Sequence, residues 1–134
     1  MDWQTIICIL AAVNNFGILL PTNCFCNEQF FKIDPEIFGR KGCAFVILWG
    51  ACHISVAWDY ASVPFIFLVF GLEKLVYIVH WIQWLRKRET WINDVKGDFQ
   101  LKSFFHLYGL PDLIVFGPAF FAIWVMGMVN QYNA

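Results

Sequence analysis

The chain has 134 residues, of which 60% are hydrophobic, 19% are aromatic and only 14% are charged, and its mean hydropathy is +0.60. A short soluble domain is typically about 25% charged, because it exposes much surface to water. This composition therefore excludes a disordered chain, a collagen-like chain and a coiled coil, and it indicates a surface that faces hydrocarbon. The formal net charge of −1 excludes an electrostatic nucleic-acid binder, which needs clustered Lys and Arg.

Four apolar runs have the length expected of membrane-spanning helices, which need about 20 mostly apolar residues. In chain order they cover residues 3–20, 42–58, 62–85 and 111–129. In lipid every backbone polar group must be paired within its own segment, and the runs lack the alternation of barrel strands, so helices are expected. The sequence predicts an all-α membrane protein in which a four-transmembrane-helix bundle forms a single domain over residues 1–134.

Two connecting segments combine aromatic side chains with charges. Residues 22–41 contain Phe25, Phe30, Phe31, Ile33, Ile37 and Phe38, and residues 91–107 contain Trp91, Phe99, Leu101, Phe104 and Phe105. The pattern predicts short amphipathic cytoplasmic segments that lie on the membrane surface.

The beginning of the fourth span is ambiguous. In the segment from Tyr108 to Asp112, Gly109 can end one helix and Pro111 can open the next. We favour this break, which places Asp112 in a first helical turn, where the helix dipole stabilises it. The alternative is one continuous helix from about Ser103 that is kinked at Pro111.

The distribution of positive charge predicts the orientation. All Lys and Arg residues except Lys74 fall in the first and third connections, which places these connections in the cytoplasm and both termini outside it. The first residues lack the positive region of a signal peptide, so the first helix is expected to remain in the protein. The predicted location is a bacterial inner membrane.

Several polar residues fall inside the predicted spans, where a charge costs roughly 2.5–3.5 kcal/mol and normally faces the bundle interior. At 1.5 Å per residue, His53 and Glu73 both lie about 17 Å from the cytoplasmic boundary. Asn14, Tyr77 and His80 form a second layer roughly 8–12 Å from it. Asp112 reaches that layer only if the fourth helix begins early.

Helical periodicity groups these residues into stripes. Glu73, Tyr77 and His80 share one face of the third span, and Trp49 shares a face with His53. Glu73 and Lys74 are neighbours that point about 100° apart, so each is expected to need a partner from another helix.

The candidate partners differ for the two residues. For Glu73 they are His53 and Asn14. For Lys74 they are a backbone carbonyl, Asp112 or a partner subunit. The alternative for all such groups is a purely structural role as hydrogen-bonding contacts between helices, and His80 can also reach the interface beside Trp81 and Trp84.

The predicted ligand site is an intrabundle pocket with no catalytic or metal-binding residue. Its residues are Glu73, His53, Tyr77, Asn14, Lys74, His80, Trp49 and Asp112. The five cysteines lack zinc-site spacing, and those inside the spans are interpreted as small buried apolar residues. No cofactor is predicted, although His53 or His80 could ligate a haem or a pigment.

Short motifs along most of the chain resemble those of small four-span bacterial membrane proteins grouped as DoxX-like or BphX-like. These motifs are Asn14-Asn15-Phe16-Gly17, Trp49-Gly50, Phe70-Gly71-Leu72-Glu73-Lys74-Leu75-Val76-Tyr77 and Tyr108-Gly109-Leu110-Pro111-Asp112. The resemblance implies a four-helix bundle and supplies no catalytic residue.

Four functions fit these features. The leading prediction is a membrane module that binds a lipophilic small molecule, since ligand sites are mostly apolar with a few placed polar groups. The second is a non-catalytic subunit of a larger membrane complex, and the third is a proton-coupled transporter, expected to be a homodimer. An enzyme such as an isomerase, with Glu73 and His53 as acid and base, is the least favoured. Beyond these, the expected partner is the lipid bilayer, and no nucleic acid is expected.

Overall fold

The computed structural model describes the backbone of residues 1–91 and 98–134, and the side chains of 1–87 and 98–134. Within these ranges every regular element is helical, which confirms the all-α class. The helices are α1 (Trp3–Phe16, followed by a 3-10 turn at Gly17–Leu19), α2 (Glu28–Ile33), α3 (Pro35–Phe38), α4 (Arg40–Ser55), α5 (Pro64–Trp91), α6 (Phe99–Leu107), α7 (Gly109–Pro111), a π-helical turn (Asp112–Phe116) and α8 (Gly117–Asn133).

Side-chain caps fix where four of these helices begin. The Asp2 carboxylate accepts a hydrogen bond from the Thr5 N–H at 2.9 Å, and Asn27 caps α2. Asp34 caps α3, whose first residue is a proline, and Asp98 accepts from the Leu101 N–H at the start of α6. Each cap satisfies a backbone donor that a helix start otherwise leaves unpaired.

Two helices in the described part of the chain are long and apolar enough to span a membrane. They are Pro64–Lys87, with 24 residues, and the continuous helical stretch Phe99–Asn133, with 35 residues. The helix Trp3–Leu19 is apolar but shorter. Helix α4 has 16 residues and is therefore about 24 Å long.

The helices pack as two pairs, α1 with α4 and α5 with α8. At one end, α2, α3, α5 and α6 contribute a cluster that we call the aromatic cap: Phe30, Phe31, Phe38, Trp84, Leu101 and Phe105. At the other end the two pairs meet in a second cluster, which we call the His53 core: His53, Phe67, Phe70, Phe116 and Phe120.

The aromatic cap corrects the prediction for the two connecting segments. They do form short helices, but several of their apolar side chains, among them Phe30, Phe38 and Phe105, are buried against other helices of the protein. The Phe30 and Phe105 ring centroids are 5.2 Å apart, and those of Phe38 and Tyr108 are 4.7 Å apart. Rings at these separations gain packing contacts with one another. Phe99 remains 84% exposed, and residues 92–97 of the second segment lie outside the described residues.

The predicted helix break at Pro111 is wrong, because the helical backbone continues from Phe99 to Asn133. The irregular part is the π-helical turn, in which the Gly117 N–H bonds to the Asp112 carbonyl oxygen. Pro118 lacks the N–H that would normally bond four residues back, so the chain adopts the wider turn here. Asp112 consequently lies in the middle of a long helix and not in a first turn.

Candidate functional site

A cavity of about 360 Å³ lies between the two helix pairs, next to the aromatic cap. Its walls combine apolar and aromatic side chains with a small group of polar ones. It is lined by Asn14, Asn15, Gly17, Ile18, Phe38, Val46, Glu73, Lys74, Tyr77, Ser103, Phe104, Leu107, Tyr108 and Asp112. Residues of six elements thus meet around one space, and Phe38 belongs both to its wall and to the aromatic cap.

The Lys74 ammonium is the centre of the polar wall. Its Nζ donates a hydrogen bond to Asn15 Oδ1 at 3.0 Å. It also lies 3.2 Å from Glu73 Oε2 and 3.5 Å from Asp112 Oδ1. The four side chains come from three parts of the bundle and all are buried, so we call them the Lys74 cluster. A buried ammonium is costly without such partners.

The cluster confirms one predicted contact and corrects another. Asp112 is a partner of Lys74, as expected. Glu73 and Lys74 were each expected to need a partner from another helix, yet they form an ion pair with each other. The reason is that the adjacent Cβ atoms diverge, but the long side chains bend back toward each other in the cavity wall. Glu73 therefore pairs with its chain neighbour and not with His53 or Asn14.

Several atoms of this wall have unused hydrogen-bonding capacity within the described part of the chain. Asn15 Nδ2 and the Tyr108 hydroxyl make no hydrogen bond there. Glu73 Oε2 and Asp112 Oδ1 contact Lys74 as ion pairs but accept no hydrogen bond. Buried polar groups in proteins are nearly always paired, so a group of unpaired ones around a cavity calls for an explanation.

His53 and Trp49 do not line this cavity, so the structure separates them from the other predicted site residues. The His53 ring stacks on Phe120 at 5.1 Å and meets Phe70 edge-on at 4.3 Å. Neither ring nitrogen has a hydrogen-bond partner among the described residues. Trp49 packs against the same Phe70 ring. Aromatic side chains thus surround the His53 ring, whereas Glu73 faces the cavity.

His80 also lies outside the main cavity. Its Nε2 contacts Asp34 Oδ2 at 2.5 Å. The pair lies beside a smaller cavity of about 180 Å³ lined by Asp34, Pro35, Glu36, His80, Gln83, Trp84 and Lys87. The structure thus separates His80 from the main cavity and pairs it with the Asp34 carboxylate at the α2–α3 connection.

The structure adds residues that the sequence reasoning missed. Asn15, and not Asn14, binds Lys74, while Asn14 lines the cavity from an exposed position. Phe104 and Tyr108 also face the cavity. The spacing of Phe104, Tyr108 and Asp112 could have identified the two aromatic residues, because residues four apart share one face of a continuous helix. The predicted break at Pro111 hid that signal.

The described residues contain no group of three or more His, Cys, Asp or Glu side chains arranged to hold a metal ion. His53 and His80 lie in separate clusters. Cys8 and Cys43 are buried, but Cys52 is exposed, so the expectation that it is buried is wrong. It faces outward on α4.

The fold and the site thus define an all-helical protein with a buried charged cluster beside a largely apolar cavity, and with two helices long enough to span a membrane. No protein-family model, no curated protein and no solved structure matches this chain. The function has to be inferred from the site and the surface of the protein.

Proposed function

We propose that this chain is an integral membrane protein of four spans that binds a lipophilic small molecule in the cavity beside Lys74. The observation that carries the proposal is the cavity itself, with apolar walls and a buried polar wall whose hydrogen bonds are incomplete. Small-molecule sites are typically concave, mostly apolar and about 300–1,000 Å³ in volume, with a few placed polar groups.

The outer surface supports membrane insertion. Only 39% of the most apolar stretch of Pro64–Lys87 and 28% of that of Phe99–Asn133 is buried, whereas the core helix of a soluble protein is mostly buried. Large apolar side chains face outward on both helices, for example Phe65, Val76 and Ile114 at about 60% exposure or more. Charged side chains point inward at the same level of α5. This inverted arrangement suits hydrocarbon and is unfavourable in water.

The two shorter helices, α1 and α4, also expose large apolar side chains. Leu10 and Val13 are exposed on α1, as are Phe45 and Leu48 on α4. Helices somewhat shorter than the hydrocarbon layer can still span it where the bilayer thins or flanking residues reach the interface. In this proposal all four helices cross, the Lys- and Arg-containing connections lie in the cytoplasm, and both termini lie outside.

Gly17 offers a way to test the cavity without damaging the fold. It lies in the cavity wall in a right-handed helical conformation. A Cβ atom added there would meet none of the described atoms within 4 Å. Gly17→Leu therefore fills the cavity at little cost to the backbone. Ala51→Leu is the matched control, because it adds a larger side chain at an exposed position on α4.

The experiment measures co-purifying small molecules. Wild type and both variants are expressed in bacteria, isolated from membranes washed with alkaline carbonate, and extracted for mass spectrometry. We expect a lipophilic molecule with wild type and Ala51→Leu, and its loss from Gly17→Leu. Equal retention by the two variants contradicts a ligand in this cavity. Release of the wild-type chain by the carbonate wash contradicts membrane integration.

A further inference from the structure

We infer that the ligand of this cavity carries an uncharged hydroxyl head, an alcohol or a phenol, that binds at the Lys74 cluster. The inference rests on the proposed function and specifies the chemical class of the molecule. Three observations support an uncharged hydroxyl head: the unused donors and acceptors of the polar wall, the charges around them, and the apolar lining of the rest of the cavity.

The unused groups comprise both a donor and acceptors. Asn15 Nδ2 can donate, while Glu73 Oε2 and Asp112 Oδ1 can accept, and none of these does so among the described residues. All three side chains contact the same Lys74 Nζ, at 3.0, 3.2 and 3.5 Å, so their unused atoms lie close together. A hydroxyl both donates and accepts, and it therefore can satisfy an amide N–H and a carboxylate oxygen at once.

The charges disfavour the two ionic alternatives. A carboxylate or phosphate head would approach Glu73 and Asp112, whose charges are opposed, among the described residues, by the Lys74 ammonium only. An ammonium head would be attracted to the carboxylates, but Lys74 already occupies the position between them. An ammonium also has no acceptor to offer to Asn15 Nδ2. A neutral head avoids the desolvation cost of bringing another charge into a buried site.

The rest of the cavity fits an apolar body. Ile18, Phe38, Val46 and Phe104 provide hydrocarbon and aromatic walls. The Tyr108 hydroxyl, also unpaired within the described chain, provides one more polar contact on the wall. Leu107 lines the cavity and is 53% exposed, so the cavity adjoins the outer surface of the protein at this side chain.

The test compares four probes that share one apolar body: decanol, decylamine, decanoic acid and decane. Each is titrated into the full chain in phosphatidylcholine nanodiscs, with empty nanodiscs as the reference for partitioning. We expect decanol to bind about tenfold more tightly than the other three, since a hydrogen bond to a charged group contributes roughly that factor. Decylamine, decanoic acid or decane binding as tightly as decanol overturns the inference.

Two variants locate the head group. Tyr108→Phe removes only the unpaired hydroxyl and should weaken decanol binding severalfold while leaving decane unchanged. Tyr60→Phe is the matched control, since Tyr60 hydrogen-bonds to Asp2 outside the cavity. Asn15→Leu should abolish the preference for decanol over decane. If Asn15→Leu does not fold, Tyr108→Phe alone tests the position of the head group. Equal decanol affinity for Tyr108→Phe and Tyr60→Phe then contradicts the proposed head-group position.

The outcomes separate this inference from the proposed function. If a co-purifying molecule is lost from Gly17→Leu but proves to be charged, the cavity binds a ligand and the hydroxyl inference is wrong. If Gly17→Leu changes neither the co-purifying molecules nor the binding of any probe, the proposed function is wrong as well.

Discussion

The Lys74 cluster and the His53 core are two buried polar regions of one bundle with opposite surroundings. Lys74 has three polar partners and faces a cavity of about 360 Å³. His53 has no hydrogen-bond partner in the described structure and lies between the rings of Phe70 and Phe120. A polar residue within an apolar helix therefore does not by itself mark a binding site. What surrounds it decides whether a ligand has room.

Side-chain size explains the difference. Around His53 the rings of Phe67, Phe70 and Phe120 meet at centroid distances of 5.4–6.1 Å and fill the interior. Beside Lys74 the chain places Gly17, Asn15 and Val46, which leave space. The cavity thus occurs where small residues of the α1–α4 pair face Glu73 and Lys74 of α5.

The largest effect on stability is expected from Lys74→Met. The substitution leaves Glu73 and Asp112 buried without the cation between them, and breaking a buried ion pair in this way costs about 3–5 kcal/mol. Reversible unfolding in mixed micelles measures the loss. Glu73→Gln combined with Lys74→Met and Asp112→Asn should recover much of it, because no uncompensated charge remains. If the Lys74→Met variant is as stable as wild type, the ion pairs of Lys74 do not stabilise the protein.

Truncation of a phenylalanine should distinguish the filled region from the open one. Phe120→Ala in the His53 core is expected to cost about 3 kcal/mol, since it creates a new void among packed rings. Phe104→Ala should cost roughly half as much, because that ring already borders empty space and is only partly buried. The same unfolding measurement compares the two. Equal losses would mean that the cavity is not open in the folded protein.

Two glycine substitutions probe local space at a smaller scale. A Cβ atom at Gly109 would lie 2.4–2.5 Å from atoms of the Trp81 ring, so Gly109→Ala should destabilise the protein by about 1–3 kcal/mol. Gly17→Ala adds the same methyl group to open space and should be neutral or stabilising by up to about 1 kcal/mol. Thermal unfolding of the two variants provides the check. A larger loss for Gly17→Ala would contradict the position of the cavity.

The smallest effect is expected from His53→Phe. The phenyl ring is somewhat larger than the imidazole ring, but the substitution removes two ring nitrogens that have no partner among the described residues. Its effect should stay below about 1.5 kcal/mol and can be stabilising. Ligand retention, measured by mass spectrometry, should be unchanged. A loss of several kcal/mol or of the bound molecule would place His53 in the same functional unit as Lys74.

Much of the helical architecture was predictable, because apolar runs between charged connections require internally hydrogen-bonded helices. The inward placement of Glu73 and Lys74 was predictable from the cost of exposing charge to lipid. The pairing of Lys74 with Asp112 was one of the predicted options. The roles of His53, Trp49 and His80 were not predictable, since depth and angular position do not reveal whether neighbouring side chains fill the space.

The continuity of the last helix was missed for a local reason. Gly109 and Pro111 are typical of a helix boundary, but Tyr108 has helical backbone angles and its N–H bonds to the Phe104 carbonyl. The irregularity lies further along, in the π-helical turn Asp112–Phe116, which the Gly117 N–H closes and Pro118 follows. Gly109 instead packs against Trp81, where the absence of a side chain allows the two helices to approach closely.

The amino-acid sequence alone determined the all-helical class, the positions of most helices and the need to bury the charges of α5, because these follow from hydropathy and from backbone hydrogen bonding within single segments. Only the tertiary structure decided that the amphipathic segments form an aromatic cap, that Asn15 and Asp112 meet at Lys74, and that empty space adjoins this cluster while rings enclose His53. Those outcomes depend on the combined volumes of side chains from several helices, and no single segment contains that information.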